Sequence, residues 1–209
     1  MMDYTDVLFD TDFLYGFIRD FATANSLSQT LAALPFAAAR HGGQYRDSKE
    51  NVPYIVHPMQ IAFHAIALGL VEDDLLAVCL LHDVCEDCGV SYIELPAGER
   101  VMKAVKLLTK EWDHDSKTDE DEQRYYDDIA SDPTAAMVKL LDRCNNVSSM
   151  ASAFSKKRIE KYVNETERFY IPLIRSMLND YPQYRNQIMA VSYQIGSIMA
   201  VYERMLKSG

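Results

Sequence analysis

A short acidic stretch at residues 80–87 carries the residues best suited to chemistry. If it is an α-helix, His82 lies one turn before Glu86, and Asp83 one turn before Asp87. The residues before it are apolar and belong in a core, where an imidazole and three carboxylates are costly to desolvate. A divalent metal would compensate, with the His-Asp pair binding it and the two later carboxylates handling a water molecule. The alternative is an exposed helical turn with ordinary ion pairs.

Two further residues are candidates for completing the ligand set. His41 follows an alanine-rich helical run at residues 36–40, and Asp142 ends the mostly apolar run 137–141. Together with the His-Asp pair they offer only nitrogen and oxygen donors. Such a set suits Mn, Fe, Zn or Mg better than a metal that prefers thiolate ligands.

These residues and their surroundings resemble a known family. The pattern His41, His82-Asp83 and Asp142 resembles that of the HD metal-dependent phosphohydrolases. The wider match is to the hydrolase domain of the RelA/SpoT alarmone enzymes, and best to the stand-alone small alarmone hydrolases. It spans residues 35–175 and is carried by the segments 39–46, 53–58, 81–87, 139–146 and 164–173.

The resemblance implies a reaction and assigns roles to individual residues. It implies Mn²⁺ on His41, His82, Asp83 and Asp142, although another divalent metal could serve. It assigns Glu86 and Asp87 to positioning or deprotonating the water. The substrate it implies is guanosine 3′,5′-bis(diphosphate) or the pentaphosphate, which would lose its 3′-pyrophosphate. The candidate substrate-binding residues are Arg46, Ser48, Lys139, Arg143 and Asn146, and His57 is given a structural role in its loop.

Several departures from the family pattern leave the substrate open. Asp47 stands where a lysine is common, which removes one attraction for phosphate and adds a repulsion. An adenosine alarmone or a phosphorylated dinucleotide is therefore an alternative substrate. A non-catalytic nucleotide-binding module is a third reading, but it predicts the loss of a ligand or of the Glu-Asp pair, and neither is lost.

Composition narrows the classes of partner. The formal net charge is −10, which argues against nonspecific nucleic-acid binding and leaves the metal to supply part of the positive charge for a phosphorylated substrate. The only dense cationic cluster is Lys156-Lys157-Arg158. No signal peptide or membrane-spanning run is recognisable, so we expect a cytoplasmic protein with reduced thiols.

The apolar periodicity is helical throughout and no stretch alternates as a strand does. We therefore predict an all-α, single HD-domain helical bundle over residues 1–209, with nine or ten helices. Residues 110–122 are strongly polar and are predicted to form a loop. The family resemblance implies that this loop lies near the mouth of the active site, which makes it a candidate lid. The oligomeric state is left open.

Overall fold

The computed structural model describes residues 10–46, 51–110 and 118–207, apart from the side chains of 151–153. Within these ranges the chain is helical and has no β-strand. The prediction of an all-α fold is therefore confirmed. None of the described helices is long and apolar enough to span a membrane.

Part of the predicted substrate loop and most of the candidate lid lie outside the described residues. These are Asp47, Ser48 and residues 111–117. The lid therefore stays a prediction.

The chain divides into two compact units, Met1–Glu111 and Trp112–Gly209. The prediction that residues 1–209 form one domain stays a prediction. The helices of the first unit are α1 (Thr11–Ala24), α2 (Ser28–Arg40), α3 (Val56–Ala67), α4 (Asp73–Leu81), α5 (Val84–Cys88) and α6 (Glu99–Leu108).

Helix α4 is the centre of the first unit. Every residue from Leu75 to Leu81 is fully buried, as expected for a helix that is apolar on all sides. Helices α2, α3 and α6 pack against it. The polar residues that follow are thereby delivered from a rigid core.

Helix α2 takes its N-terminal cap from α4. The residue before its first turn, Leu27, has no side chain that could cap it. Instead the carboxylate of Asp73 accepts from the backbone N–H of Gln29 at 2.9 Å and of Thr30 at 2.8 Å. These are the two amides that a local capping side chain would satisfy.

The predicted helix through residues 80–87 is interrupted at the His-Asp pair. Helix α4 ends at Leu81 and α5 begins at Val84, while Asp83 adopts φ −99° and ψ −9°. The imidazole Nδ1 of His82 donates to the carbonyl oxygen of Cys79 at 2.9 Å. In an uninterrupted helix that oxygen would serve the amide of Asp83, so the side chain competes with the backbone.

The second unit contains α7 (Asp119–Ala130), α8 (Pro133–Ala153), α9 (Lys156–Glu165), α10 (Ile171–Asp180) and α11 (Arg185–Lys207). Helix α8 packs along α11. A π-helical turn, Thr166–Tyr170, joins α9 to α10 without a break. Pro172 is the second residue after it, and a proline ring there clashes with the carbonyl four residues earlier, inside the turn, which accounts for its widening.

The number of helices agrees with the prediction. The described residues hold eleven α-helical segments. If α4 and α5 are counted as one interrupted helix, and α9 and α10 as another, the described residues hold nine helices. The sequence predicts one helix at about residues 11–24 and a second at about residues 28–40, and these bounds match those of α1 and α2.

Candidate metal centre

Three side chains of the first unit converge on one point. The carboxylate Oδ2 of Asp83 lies 3.0 Å from Nε2 of His82 and 3.5 Å from Nε2 of His57. One donor atom from each of the three lies within 4.8 Å of the other two. Both imidazoles are almost completely buried. We call these three residues the ligand triad.

Each member of the triad comes from the end of a helix. His57 lies in the first turn of α3, His82 follows the last residue of α4, and Asp83 precedes the first residue of α5. The His82-Asp83 pair follows the last residue of the buried helix α4, so it lies where the apolar segment ends. The apolar α4 thus holds the pair at the boundary of the core.

Hydrogen bonds outside the triad orient its donor atoms. Because Nδ1 of His82 donates to the Cys79 carbonyl, the neutral ring carries its lone pair on Nε2, which faces Asp83. The hydroxyl of Tyr54 donates to Asp83 Oδ2 at 2.7 Å. Such outer hydrogen bonds are typical of metal ligands in proteins.

The electrostatics of the triad favour an ionised carboxylate. Burial by itself would raise the pKa of Asp83, but the charge of a protonated His82 and hydrogen bonds from both imidazoles outweigh it and hold the pKa well below its usual range. A bound cation would take the place of those imidazole protons. A partly buried carboxylate flanked by two imidazole nitrogens is a nitrogen and oxygen donor set. These residues therefore fit a divalent cation such as Mn, Fe or Zn.

His41, the sequence-predicted first ligand, lies beside the triad rather than in it. It is buried, and its Nδ1 pairs with Oε1 of Gln44 at 2.7 Å. Its ring stacks on Tyr54 with 4.7 Å between centroids. Its Nε2 has no hydrogen-bond partner among the described residues. His57, for which we expected a structural role in its loop, lies in the triad, and the assignment of His41 as a metal ligand stays a prediction.

Tyr54 was not identified from the sequence either. Its ring contacts both His41 and His57, while its hydroxyl bonds to Asp83. Residues 53–58 had been recognised as a family segment, but the pattern does not say which of its side chains faces the His-Asp pair.

The two carboxylates proposed to act on water lie on the short helix α5. The amide of Asp87 donates to the carbonyl of Asp83 at 2.8 Å, so the expected one-turn spacing holds. Glu86 is exposed, and its Oε2 accepts from the backbone N–H of Lys110 at 3.2 Å. Partial burial, and next the negative charge of Asp83, raise the pKa of Asp87, which also bonds to the Tyr54 hydroxyl.

Asp142 and two predicted substrate residues form a separate cluster in the second unit. Asp142 is buried, and its carboxylate lies 3.3 Å from Nζ of Lys139 and accepts from Nδ2 of Asn146 at 2.6 Å. All three lie on α8, at helical spacing. In the first unit, the amide of Arg46 donates to the carbonyl of Val52 at 2.9 Å and closes the loop that holds Ser48.

Arg143 is buried and already matched by a partner. Its Nη2 lies 2.8 Å from Oε1 of Glu165, and its guanidinium lies over the rings of Tyr162 and Tyr170. Tyr126 donates to the same Glu165 oxygen at 3.0 Å. Nη1 of Arg143 has no hydrogen-bond partner among the described residues, and its role in substrate binding stays a prediction.

Comparisons with protein families and with individual proteins agree on the family of this chain. The protein-family profile described as "HD domain" matches residues 33–178. A guanosine-3′,5′-bis(diphosphate) 3′-pyrophosphohydrolase from Aquifex aeolicus is 35% identical over 145 residues, which are 68% of this chain but only 20% of the relative. The chain therefore spans about a fifth of that protein.

Smaller relatives are matched over most of their length. The guanosine-3′,5′-bis(diphosphate) 3′-pyrophosphohydrolases MESH1 of Mus musculus and Homo sapiens are both 31% identical over 146 residues, covering 65% of this chain and 79% of each relative. A solved structure described as "A metazoan ortholog of SpoT hydrolyzes ppGpp and plays a role in starvation responses" has a TM-score of 0.62 at 20% identity. It covers 80% of this chain and 96% of that one, and it supports the fold.

Proposed function

The chain belongs to the HD-domain family, and we propose that it hydrolyses the 3′-pyrophosphate of guanosine 3′,5′-bis(diphosphate) or its pentaphosphate, releasing pyrophosphate and GDP or GTP. The observation that carries the proposal is the ligand triad, with two imidazole nitrogens turned toward one ionised carboxylate. The names of the relatives supply the substrate class. The four cysteines are free thiols, which fits the cytoplasmic location that we also propose.

We propose that His57, His82 and Asp83 hold the metal, and that Asp142 is its fourth ligand according to the family pattern. Asp142 belongs to the second unit, so its membership rests on that pattern alone. Mn²⁺ is the metal we propose, and another divalent ion is the alternative. When bound, such an ion lowers the pKa of a coordinated water and offsets phosphate charge.

The chain's own residues supply orientation and proton transfer. Tyr54 and the Cys79 carbonyl fix the directions of the Asp83 carboxylate and the His82 ring. Asp87 shares the Tyr54 hydroxyl and is therefore the better placed of the two α5 carboxylates to receive a proton from the attacking water. Glu86, tied to the backbone of Lys110, would position that water.

The phosphate groups of the proposed substrate must be bound by cationic side chains, although the protein as a whole is acidic. Lys139 and Asn146 flank Asp142 and are proposed substrate contacts, together with Arg46 and Ser48. Lys157 and Arg158 are further candidates; they line a groove of about 650 Å³ in the second unit, together with Lys161, Arg168, Glu122, Glu160 and Glu165. Arg143 stays a proposed substrate contact: Glu165 pairs with its Nη2, while its buried Nη1 has no hydrogen-bond partner among the described residues.

An adenosine alarmone is the second candidate substrate. The observation that favours it is Asp47 in place of the lysine common in the family. A carboxylate can accept from the exocyclic amine of either purine, so it weakens a simple guanine preference.

A turnover panel tests the function. Protein stripped with a chelator is mixed with Mn²⁺, Zn²⁺ or Mg²⁺ and with the 3′-pyrophosphorylated guanosine and adenosine nucleotides, and pyrophosphate release is followed. We expect release from the 3′ position that requires the metal, with the guanosine substrate preferred. Absence of release from every nucleotide by folded, metal-loaded protein would contradict the proposal.

A further inference from the structure

The C-terminal helix α11 has a charge pattern unlike the rest of the chain. Charged residues make up 25% of the sequence, yet none occurs from Asn186 to Tyr202. Isolated exposed apolar residues are normal on a soluble protein, but a long charge-free surface helix is not. Something apolar is expected to cover it.

One face of α11 is already used inside the second unit. Its buried side chains are Ile188, Val191, Ile195, Met199 and Tyr202. This spacing of three and four residues is that of a single helical stripe. It packs on neighbouring helices that include α8.

The other face carries a second, exposed apolar row. Met189, Tyr193, Val201 and Met205 are 57%, 78%, 54% and 60% exposed. Each is four residues from the next, except that Ser197 occupies the middle position. Residues four apart form one of the ridges by which helices pack into each other's grooves.

The exposed row is symmetric about Ser197. A methionine lies eight residues to each side of it, and a large apolar residue, Tyr193 or Val201, lies four residues to each side. The neighbours Gly196 and Ala200 are small and exposed, and a Cβ placed on Gly196 would meet nothing within 4 Å. The side chains at the centre of the row are therefore short, and this is the point at which two crossing helices approach most closely.

We propose that this row is the docking surface for a second copy of the same chain. The two α11 helices would run antiparallel and cross at Ser197 on a two-fold axis, so that the small residues Gly196, Ser197 and Ala200 lie where the helices are closest. A two-fold interface requires a surface that is complementary to itself, and a row with matching residues at equal distances from its centre meets that requirement.

Charge does not oppose this pairing although each copy is acidic. The charged residues of α11 are Arg185, Glu203, Arg204 and Lys207. In the antiparallel register Glu203, Arg204 and Lys207 have Val191, Ala190 and Gln187 as counterparts at equal distance on the other side of Ser197, and none of these is charged. The counterpart of Arg185 lies outside the described residues. No like charges therefore meet along the row, and the inference stands independently of the proposed reaction.

Mass measurement of the full chain tests the dimer. Light scattering after gel filtration, at about 1 to 100 µM, should give twice the chain mass of 23.8 kDa. Tyr193→Arg should raise the dimer dissociation constant about 30-fold or more, as expected for an interface hot spot. The matched control is Ile171→Arg, an exposed apolar residue of α10, which should leave the dimer unchanged.

A crosslink tests the register. Under mild oxidation Ser197→Cys should give a disulfide-linked dimer, because the two-fold axis brings the two copies of that position together. Wild-type protein, with its native cysteines, and Ser148→Cys on α8 are the controls. A wild-type mass of 23.8 kDa throughout, equal effects of Tyr193→Arg and Ile171→Arg, or no more crosslinking than the controls would overturn the proposal.

Discussion

The pair His82-Asp83 in the first unit and the pair Arg143-Glu165 in the second are both groups that a core normally excludes. Their surroundings differ. Around Asp83 two imidazole nitrogens and a tyrosine hydroxyl converge on one carboxylate, and His82 is oriented from behind by the Cys79 carbonyl. Lone pairs converge there, so the cluster is best satisfied by a cation.

Around Arg143 the compensation is internal. The guanidinium has a carboxylate partner at 2.8 Å and aromatic rings over its faces, at 4.5 Å for Tyr162 and 4.1 Å for Tyr170. Planar guanidinium groups stack well on such rings. The charge of the pair is neutralised within the chain, although Nη1 of Arg143 has no hydrogen-bond partner among the described residues.

The comparison distinguishes a cluster suited to binding a cation, around Asp83, from an ion pair within the fold, Arg143-Glu165. Residue type and burial are alike in the two clusters, so neither identifies function. The difference is that the Arg143 guanidinium donates to the Glu165 carboxylate, whereas in the triad the lone pairs of two neutral imidazoles and one carboxylate face each other. Three predictions test this difference.

The largest effect is expected from removing His57. His57→Ala should lower metal affinity by more than about 100-fold, beyond the range for residues that only orient a ligand, because it deletes a donor. His41→Ala, a change of the same kind beside the triad, should retain the metal. Elemental analysis and calorimetric titration with Mn²⁺ measure both. Metal retained by His57→Ala and lost from His41→Ala would restore the original sequence prediction.

A smaller effect, on stability, is expected at Arg143. Arg143→Met leaves Glu165 without its cation and should lower the free energy of unfolding by about 3–5 kcal/mol. Adding Glu165→Gln should recover part of that loss. Urea denaturation measures both, and metal affinity should not change.

The control for Arg143 is an exposed ion pair in the same unit. Arg168 lies 2.8 Å from Asp119, with both side chains largely in solvent. Arg168→Met should leave the urea midpoint almost unchanged, since exposed pairs contribute little. Equal destabilisation by the two arginine substitutions would remove the distinction drawn for Arg143.

The smallest effect is expected at Tyr54. Tyr54→Phe removes the hydrogen bond to Asp83 but keeps the ring that stacks on His41. Metal affinity should fall about 10–100-fold, the range for groups that orient a ligand. Titration of the variant with Mn²⁺ checks this, and an unchanged affinity would show that the hydroxyl does not hold the carboxylate.

The sequence predicted the fold more completely than the site. Helices α1 and α2 were placed correctly because amphipathic spacing depends on neighbouring residues only. The His82-Asp83 pair was found because charged residues interrupt an apolar run. His41 and His57 both lie at helix ends near the same loop, and periodicity does not state which of them turns toward the pair.

The surroundings of Arg143 were not predicted, for a related reason. Its partner Glu165 and the rings of Tyr162 and Tyr170 lie roughly twenty residues further along the chain, and a π-helical turn governs where they point. A cation beside a metal-ligand candidate resembles a phosphate ligand in sequence. Only the packed structure reveals that its charge is already used.

The cap that Asp73 provides for α2 has a consequence during synthesis. Thr30 leaves the ribosome before the residue that caps it, and 43 residues separate the two. At about 5–20 residues per second, α2 waits roughly 2–9 s for that carboxylate. The helix leading to His41 therefore gains its N-terminal cap only when the segment leading to His82 begins to emerge. A nascent chain that ends before Asp73 holds this helix without its cap.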